Sequence, residues 1–145
     1  MKGIGSVKEN LDTEKRISIT PETVKKLVNL KFSVILEKNY GLDLGISDEE
    51  FKKAGADLLS SYKEVQEKSN VLFKVNIPSN EEINLIQSNS ILIGQFDIVN
   101  DKEKLNKLIN KKVKIFSLNL LPRITRAQTM DILSSQANLA GYRAV

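Results

Sequence analysis

The chain has 145 residues, 41% of them hydrophobic and 28% charged, with no cysteine and no histidine. That is enough apolar material for one core and too little length for two full domains. The missing cysteines exclude a disulfide framework, a thiolate nucleophile and thiolate-bound zinc or iron–sulfur centres; the missing histidines exclude imidazole acid–base chemistry and most catalytic zinc sites. The net charge of +4 is scattered rather than gathered into a basic stripe, which speaks against nucleic-acid binding.

The first expected strand runs from Lys2 to Val7. Its Gly3-Ile4-Gly5 invites a dinucleotide-binding reading, but Lys8 stands where the third glycine belongs and no helix opens there, so the glycines are read as easing a strand end. Thr20-Pro21-Glu22 places a capping hydroxyl before a proline at the first helical position, and Val24, Leu27 and Val28 supply that helix with an apolar face. A strand from Phe32 to Leu36 follows, then helix starts at Ser47-Asp48-Glu49-Glu50 and Ser61-Tyr62-Lys63-Glu64.

The strand Val71 to Val75 carries a lone Lys74. Burying it unpaired would be costly, so it is expected to emerge at the strand's carboxyl end, where α/β sheets bind ligands. Arg16 is its candidate cationic neighbour, and ordinary ion pairing is the plain alternative for both. Further helix starts at Ser79-Asn80-Glu81-Glu82 and Asn100-Asp101-Lys102-Glu103 bracket a strand from Ile91 to Ile93, and a strand from Val113 to Phe116 precedes a sixth helix opened by Thr125-Arg126-Ala127-Gln128. Strands alternating with helices through short loops predict a mainly parallel α/β sheet flanked by helices, flavodoxin- or Rossmann-like, with right-handed crossovers. No apolar run reaches membrane-spanning length and the N-terminus lacks a signal-peptide pattern, so a cytoplasmic location is expected.

The end of the chain differs. All 18 lysines lie between Lys2 and Lys114, whereas Arg123, Arg126 and Arg143, three of the four arginines, fall in the last 23 residues. The planar five-donor fork of arginine, which lysine cannot reproduce, suits a carboxylate, phosphate or amide partner. After Leu121-Pro122, Arg123 sits in a turn, and Gln128, Asp131 and Ser134 follow where they can converge on one polar ligand. Each also has a plain reading: Gln128 completes the Thr125 capping box, Asp131 favours a helix N-terminus, and Ser134 is small and surface-compatible. Met130, Leu133, Ala137, Gly141 and Ala144 form a small-residue stripe that is expected to be buried, and the pattern reaches Val145 without a stop, as if cut inside a helix.

The run Pro122-Arg123-Ile124-Thr125-Arg126-Ala127-Gln128-Thr129-Met130-Asp131-Ile132-Leu133-Ser134-Ser135, continuing through Gly141-Tyr142-Arg143-Ala144, resembles the alpha subunits of proton-translocating NAD(P) transhydrogenases, the NAD(H)-binding component. Lys8-Glu9, Glu14-Lys15-Arg16-Ile17-Ser18-Ile19-Thr20-Pro21, Ala54-Gly55-Ala56 and Phe73-Lys74-Val75-Asn76-Ile77-Pro78 fit the wider family shared with alanine dehydrogenase. The resemblance covers essentially the whole chain.

It implies an N-terminal α/β domain over residues 1–122. Residues 123–145 would then be a nucleotide-contacting loop and the start of a helix leading to a second, NAD-binding Rossmann domain outside this sequence. Carried over residue by residue, Arg123, Gln128, Asp131 and Ser134 become nucleotide contacts, the first three of them catalytic, serving hydride transfer between NADH and NADP+ coupled to proton translocation. NADP(H) would be held on a partner component. The other implied associations are membrane-spanning components, a homodimer, and a place on the cytoplasmic face of the inner membrane through the complex, with no insertion of this segment. By itself the chain is expected to be inactive.

Two alternatives remain. In an alanine dehydrogenase-like oxidoreductase, Arg16 and Lys74 would hold the substrate carboxylate, but those enzymes carry a catalytic histidine near the position of Asp97, and this chain has none. A non-enzymatic α/β protein-interaction module is the other.

Overall fold

The capping signals translate into helix starts with hydrogen bonds to match. In a computed structural model that describes residues 3–144, the Ser47 and Ser79 hydroxyls accept from the N–H groups of Glu50 and Glu82, whose carboxylates bond back, opening helices at Asp48–Ala54 (α2) and Asn80–Leu85 (α4). Thr20 accepts from Thr23 and Pro21 takes the first turn of Pro21–Asn29 (α1). Ser61 likewise caps Tyr62–Lys68 (α3), although the Glu64 carboxylate reaches the Ser60 N–H instead of closing the box.

Two expected starts do not form as read. Asp101 precedes Lys102–Asn110 (α5) without a side-chain cap: its Oδ2 accepts the Asp97 N–H instead, and the Asn100 amide donates to Asp97. Thr125 opens a 3-10 segment, Thr125–Met130, and the last α-helix, Ile132–Ala144 (α6), begins six residues later than the capping pattern indicates.

Six strands lie between these helices: Gly3–Ser6 (β1), Ser33–Glu37 (β2), Ala56–Leu59 (β3), Val71–Phe73 (β4), Ile91–Gly94 (β5) and Lys114–Ser117 (β6). β3 is not visible in the sequence pattern, because Ala56-Asp57-Leu58-Leu59 is short and interrupted by a charge. All five pairings are parallel and the order is β3-β2-β1-β4-β5-β6. This is the doubly wound arrangement, with its switch point between β1 and β4. Lys2 and Val145, at the ends of the first expected strand and the last expected helix, lie outside the described residues.

Side-chain alternation divides the core. Ile4, Val34 and Leu36 pack with Val24 and Phe51 of α1 and α2, while Ile35 faces the other way onto Val65 of α3. Leu72 and Leu92 meet Ile83, Ile86 and Leu108 of α4 and α5 on the α3 side. The opposite face of the β4–β6 half carries the in-register row Phe73, Ile93, Phe116, where covering runs out: Phe116 is 55% exposed. Parallel sheets ordinarily have both faces covered.

Of the glycines of β1, Gly3 opens the strand and Gly5 lies within it. A Cβ at Gly3 would strike the backbone carbonyl of Lys68, and one at Gly5 the side chain of Ser69, so both permit α3 to lie close against the central strand.

Candidate functional site

The carboxyl edge of the sheet gathers the polar residues. At the switch point the crevice is filled by the protein itself. Glu9 follows β1, and its carboxylate accepts the Val75 N–H at 2.7 Å and lies 3.6 Å from the Lys74 ammonium. Lys74 donates to Glu82 at 2.9 Å, whose other oxygen caps α4 through the Ser79 N–H. Lys74 therefore does not emerge as expected: it is 4% exposed, one residue beyond β4, and held between two carboxylates. A buried ammonium needs such partners. Burial pushes the Glu9 carboxyl above the ordinary glutamate range, against the pull of Lys74 and the backbone N–H groups.

Arg16 is also engaged. Its Nε and Nη2 donate to the two oxygens of Glu14 at 2.9 and 2.7 Å, and Nη2 reaches Gln95 Oε1 at 3.3 Å. This two-pronged contact holds the Glu14 carboxyl below its ordinary range. Arg16 and Lys74 line one cavity of about 270 Å³, with Ser18, Gln95 and Gln136. Glu9, Glu14 and Glu82 were missed as their partners; the signal available in the sequence was that an in-strand lysine requires a carboxylate nearby.

The exposed Asp97 carboxylate organises its own loop. It accepts from the N–H groups of Val99 and Asn100 and from the Asn100 side-chain amide, knotting the loop after β5. Those bonds hold its pKa below the usual aspartate range.

The segment from Leu118 to Asp131 crosses the carboxyl ends of β4–β6 in two 3-10 turns, Leu118–Leu120 and Thr125–Met130. Among the described residues, the hydrogen bonds that tie this region to the body beyond the β5–β6 ladder end on one residue: Ser117 Oγ accepts the Phe96 N–H at 3.2 Å and donates to the Phe96 carbonyl at 3.0 Å, which also takes the Asn119 amide at 3.4 Å.

At the far end Asp131 does the capping assigned to Thr125. Its Oδ1 accepts the N–H groups of Leu133 and Ser134 at 3.0 and 3.2 Å, and Oδ2 accepts the Ser134 hydroxyl at 2.6 Å. The Ser134 hydroxyl and backbone N–H hold the Asp131 carboxyl below its ordinary range, with a smaller pull from Arg123. A 3-10 turn fits the stretch because Pro122, Thr125 and Thr129 favour turns over an extended helical ladder.

Arg123, Gln128, Asp131 and Ser134 line one cavity of about 590 Å³. Gln128, Asp131 and Ser134 also border an apolar chamber of about 1,050 Å³ on the other side of the segment, floored by Phe73, Ile93 and Phe116. Among the described residues the side chains of Arg123 and Gln128 make no hydrogen bond or ion pair, so a planar cationic fork and a donor–acceptor amide are both unspent. That donor set fits a nicotinamide nucleotide, which offers a carboxamide, ribose hydroxyls and phosphates. No group of acidic side chains capable of holding a metal ion occurs among the described residues. The stripe expected to bury α6 does not do so, since no residue of this helix is buried and Leu139 and Tyr142 face outward.

Comparison with known proteins agrees with this architecture. The N-terminal domain described as that of alanine dehydrogenase/PNT matches residues 5–140. The chain is 39% identical over 142 residues to the NAD(P) transhydrogenase subunit alpha of Haemophilus influenzae, covering 98% of this chain and 27% of that protein. An alanine dehydrogenase of Methanococcus maripaludis is more distant, at 29% over 142 residues, covering 98% of this chain and 38% of the relative. The transhydrogenase structure from Sinorhizobium meliloti superposes with a TM-score of 0.92 at 38% identity, over 99% of this chain and 42% of that one. The chain thus spans well under half the length of these relatives. With that match over most of its length and the same doubly wound sheet, the chain belongs to the alanine dehydrogenase/PNT N-terminal domain family.

Proposed function

We propose that this chain is the N-terminal part of the NAD(H)-binding component of a proton-translocating NAD(P) transhydrogenase, acting in hydride transfer between NADH and NADP+. The observation that carries the proposal is the unspent pair Arg123 and Gln128 over the cavity walled by Asp131 and Ser134. Bound NAD(H) supplies the hydride; the side chains position and hold. The Gln128 amide matches the nicotinamide carboxamide donor for acceptor, and the Arg123 fork matches a phosphate or carboxamide oxygen. Asp131 keeps lone pairs after capping α6 and is held by Ser134 in one orientation, ready to accept from a ribose hydroxyl.

On this reading residues 1–122 are the α/β body, and 123–145 are the contacting segment and the helix that leads to a second, nucleotide-binding domain. The NADP(H)-binding and membrane-spanning components are the partners, a homodimer is the expected assembly, and the complex holds the domain at the cytoplasmic face of the inner membrane. Among the described residues no helix is long and apolar enough to cross a membrane itself. Against amino-acid oxidation stand the ion-paired Arg16 and Lys74 and the absence of histidine from the sequence.

The test is hydride transfer in the assembled enzyme. Arg123→Ala and Gln128→Ala are each expected to slow it about ten- to hundred-fold through lost positioning, with circular dichroism and unfolding midpoint unchanged. Unaltered transfer in both variants would sink the proposal.

A further inference from the structure

We infer that Ser117 is a positioning residue for the nucleotide-contacting segment, acting through a clasp on the backbone of Phe96. This role rests on the functional reading just given. Its basis is an imbalance of anchors. The fourteen residues from Leu118 to Asp131 otherwise bond locally: Leu121 N–H to Leu118, Ile124 to Pro122, Ala127 to Ile124 and Asp131 to Gln128. Ala127 alone among Thr125–Met130 is buried, while Leu120, Ile124 and Met130 are each more than half exposed. Among the described residues, every hydrogen bond from this region to the body beyond the β5–β6 ladder ends on Phe96, two from Ser117 and one from Asn119.

Phe96 is a suitable post. Its ring is 1% exposed in the core under α4 and α5, and its neighbours are fixed: Gln95 N–H bonds to Val75, and Asp97 knots the following turn. The Ser117 hydroxyl both donates to and accepts from the Phe96 main chain, as the next rung of the β5–β6 ladder would, and so carries the register of the sheet into the segment that holds Arg123 and Gln128. Without that rung the segment would keep its local turns but lose its placement over the cavity. Binding would then have to order it, which weakens the apparent affinity for the nucleotide more than it slows the bound complex.

Two measurements test this together. Arginine-specific proteolysis of the chain reports the segment through cuts after Arg123 and Arg126, read by fragment mass. Steady-state kinetics of the assembled enzyme report NADH use. Ser117→Ala is expected to speed both cuts and raise KM for NADH about ten-fold while changing kcat by about two-fold or less. Ser117→Thr, which keeps the hydroxyl, should restore both. Asn119→Ala removes the third bond from an exposed side chain and keeps the test valid if Ser117→Ala lowers the unfolding midpoint; it should shift both readouts in the same direction by less. Unchanged cutting in Ser117→Ala and Asn119→Ala overturns the clasp. Faster cutting with unchanged KM, where Arg123→Ala does alter hydride transfer, overturns the positioning role and leaves the functional reading standing. If Arg123→Ala and Gln128→Ala both leave transfer untouched, the functional reading fails, and the positioning role with it.

Discussion

Lys74 shows how a single residue redirects a functional reading. An ammonium inside an apolar strand signals either a ligand site or a buried pair, and the difference lies in residues distant in sequence: Glu9, 65 positions before it, and Glu82, eight after. Sequence spacing reveals neither until the sheet order places β1 beside β4. Removing one partner of a buried pair leaves an uncompensated charge, so Lys74→Met is expected to lower unfolding free energy by about 3–5 kcal/mol in denaturant titration. A second change, Glu9→Gln, should recover part of the loss. Tyr40 is a quieter case. Its buried phenol accepts the N–H groups of Ser18 and Ile19 and bonds Ser6 Oγ, which donates to the Phe73 carbonyl, linking four chain segments that no local pattern connects. By contrast the serine caps of α2 and α4 needed only three residues of sequence, and those were legible.

At the scale of elements, the start of α6 decides where the side chains of Gln128, Asp131 and Ser134 point. Thr125 and Asp131 both offer capping oxygens, and the spacing to Gln128 favoured the former; the 3-10 geometry after Pro122 leaves the cap to Asp131. The depressed Asp131 pKa gives the cap a definite pH dependence. A carboxylate whose folded value lies below its unfolded one contributes stability above the ordinary aspartate range and loses it as pH falls through the folded value. Amide hydrogen exchange at Leu133 and Ser134 should therefore show protection at neutral pH that is lost below the usual aspartate range, after correction for the intrinsic exchange rate. Asp131→Asn should lack that acid-side transition. A profile shared by wild type and Asp131→Asn would assign the cap elsewhere. β3, the element not foreseen, is an edge strand of four residues whose pattern of one buried, one exposed and two half-buried positions imitates a loop.

At the scale of the whole molecule, the cover of the sheet thins toward β6, where Phe116 is more than half exposed. The alternation of helix and strand made the parallel sheet legible, but which face lacks cover depends on the crossovers and on α6 standing clear of the sheet. The row Phe73, Ile93, Phe116 should bind an apolar fluorescent dye in the folded chain. Phe116→Thr should reduce that binding while moving stability by no more than about 0.5 kcal/mol, as befits a surface position. The filled switch point has a different consequence, for the fold's evolvability. The strand order is one that elsewhere cradles a dinucleotide between its first and fourth strands, yet here Glu9, Lys74 and Glu82 occupy that crevice as one coupled unit. Replacing any one strands a charge or a cap, so their effects on stability are non-additive. A lineage could open a pocket of that type only by changing all three together, whereas the segment over β4–β6 can be retuned one side chain at a time.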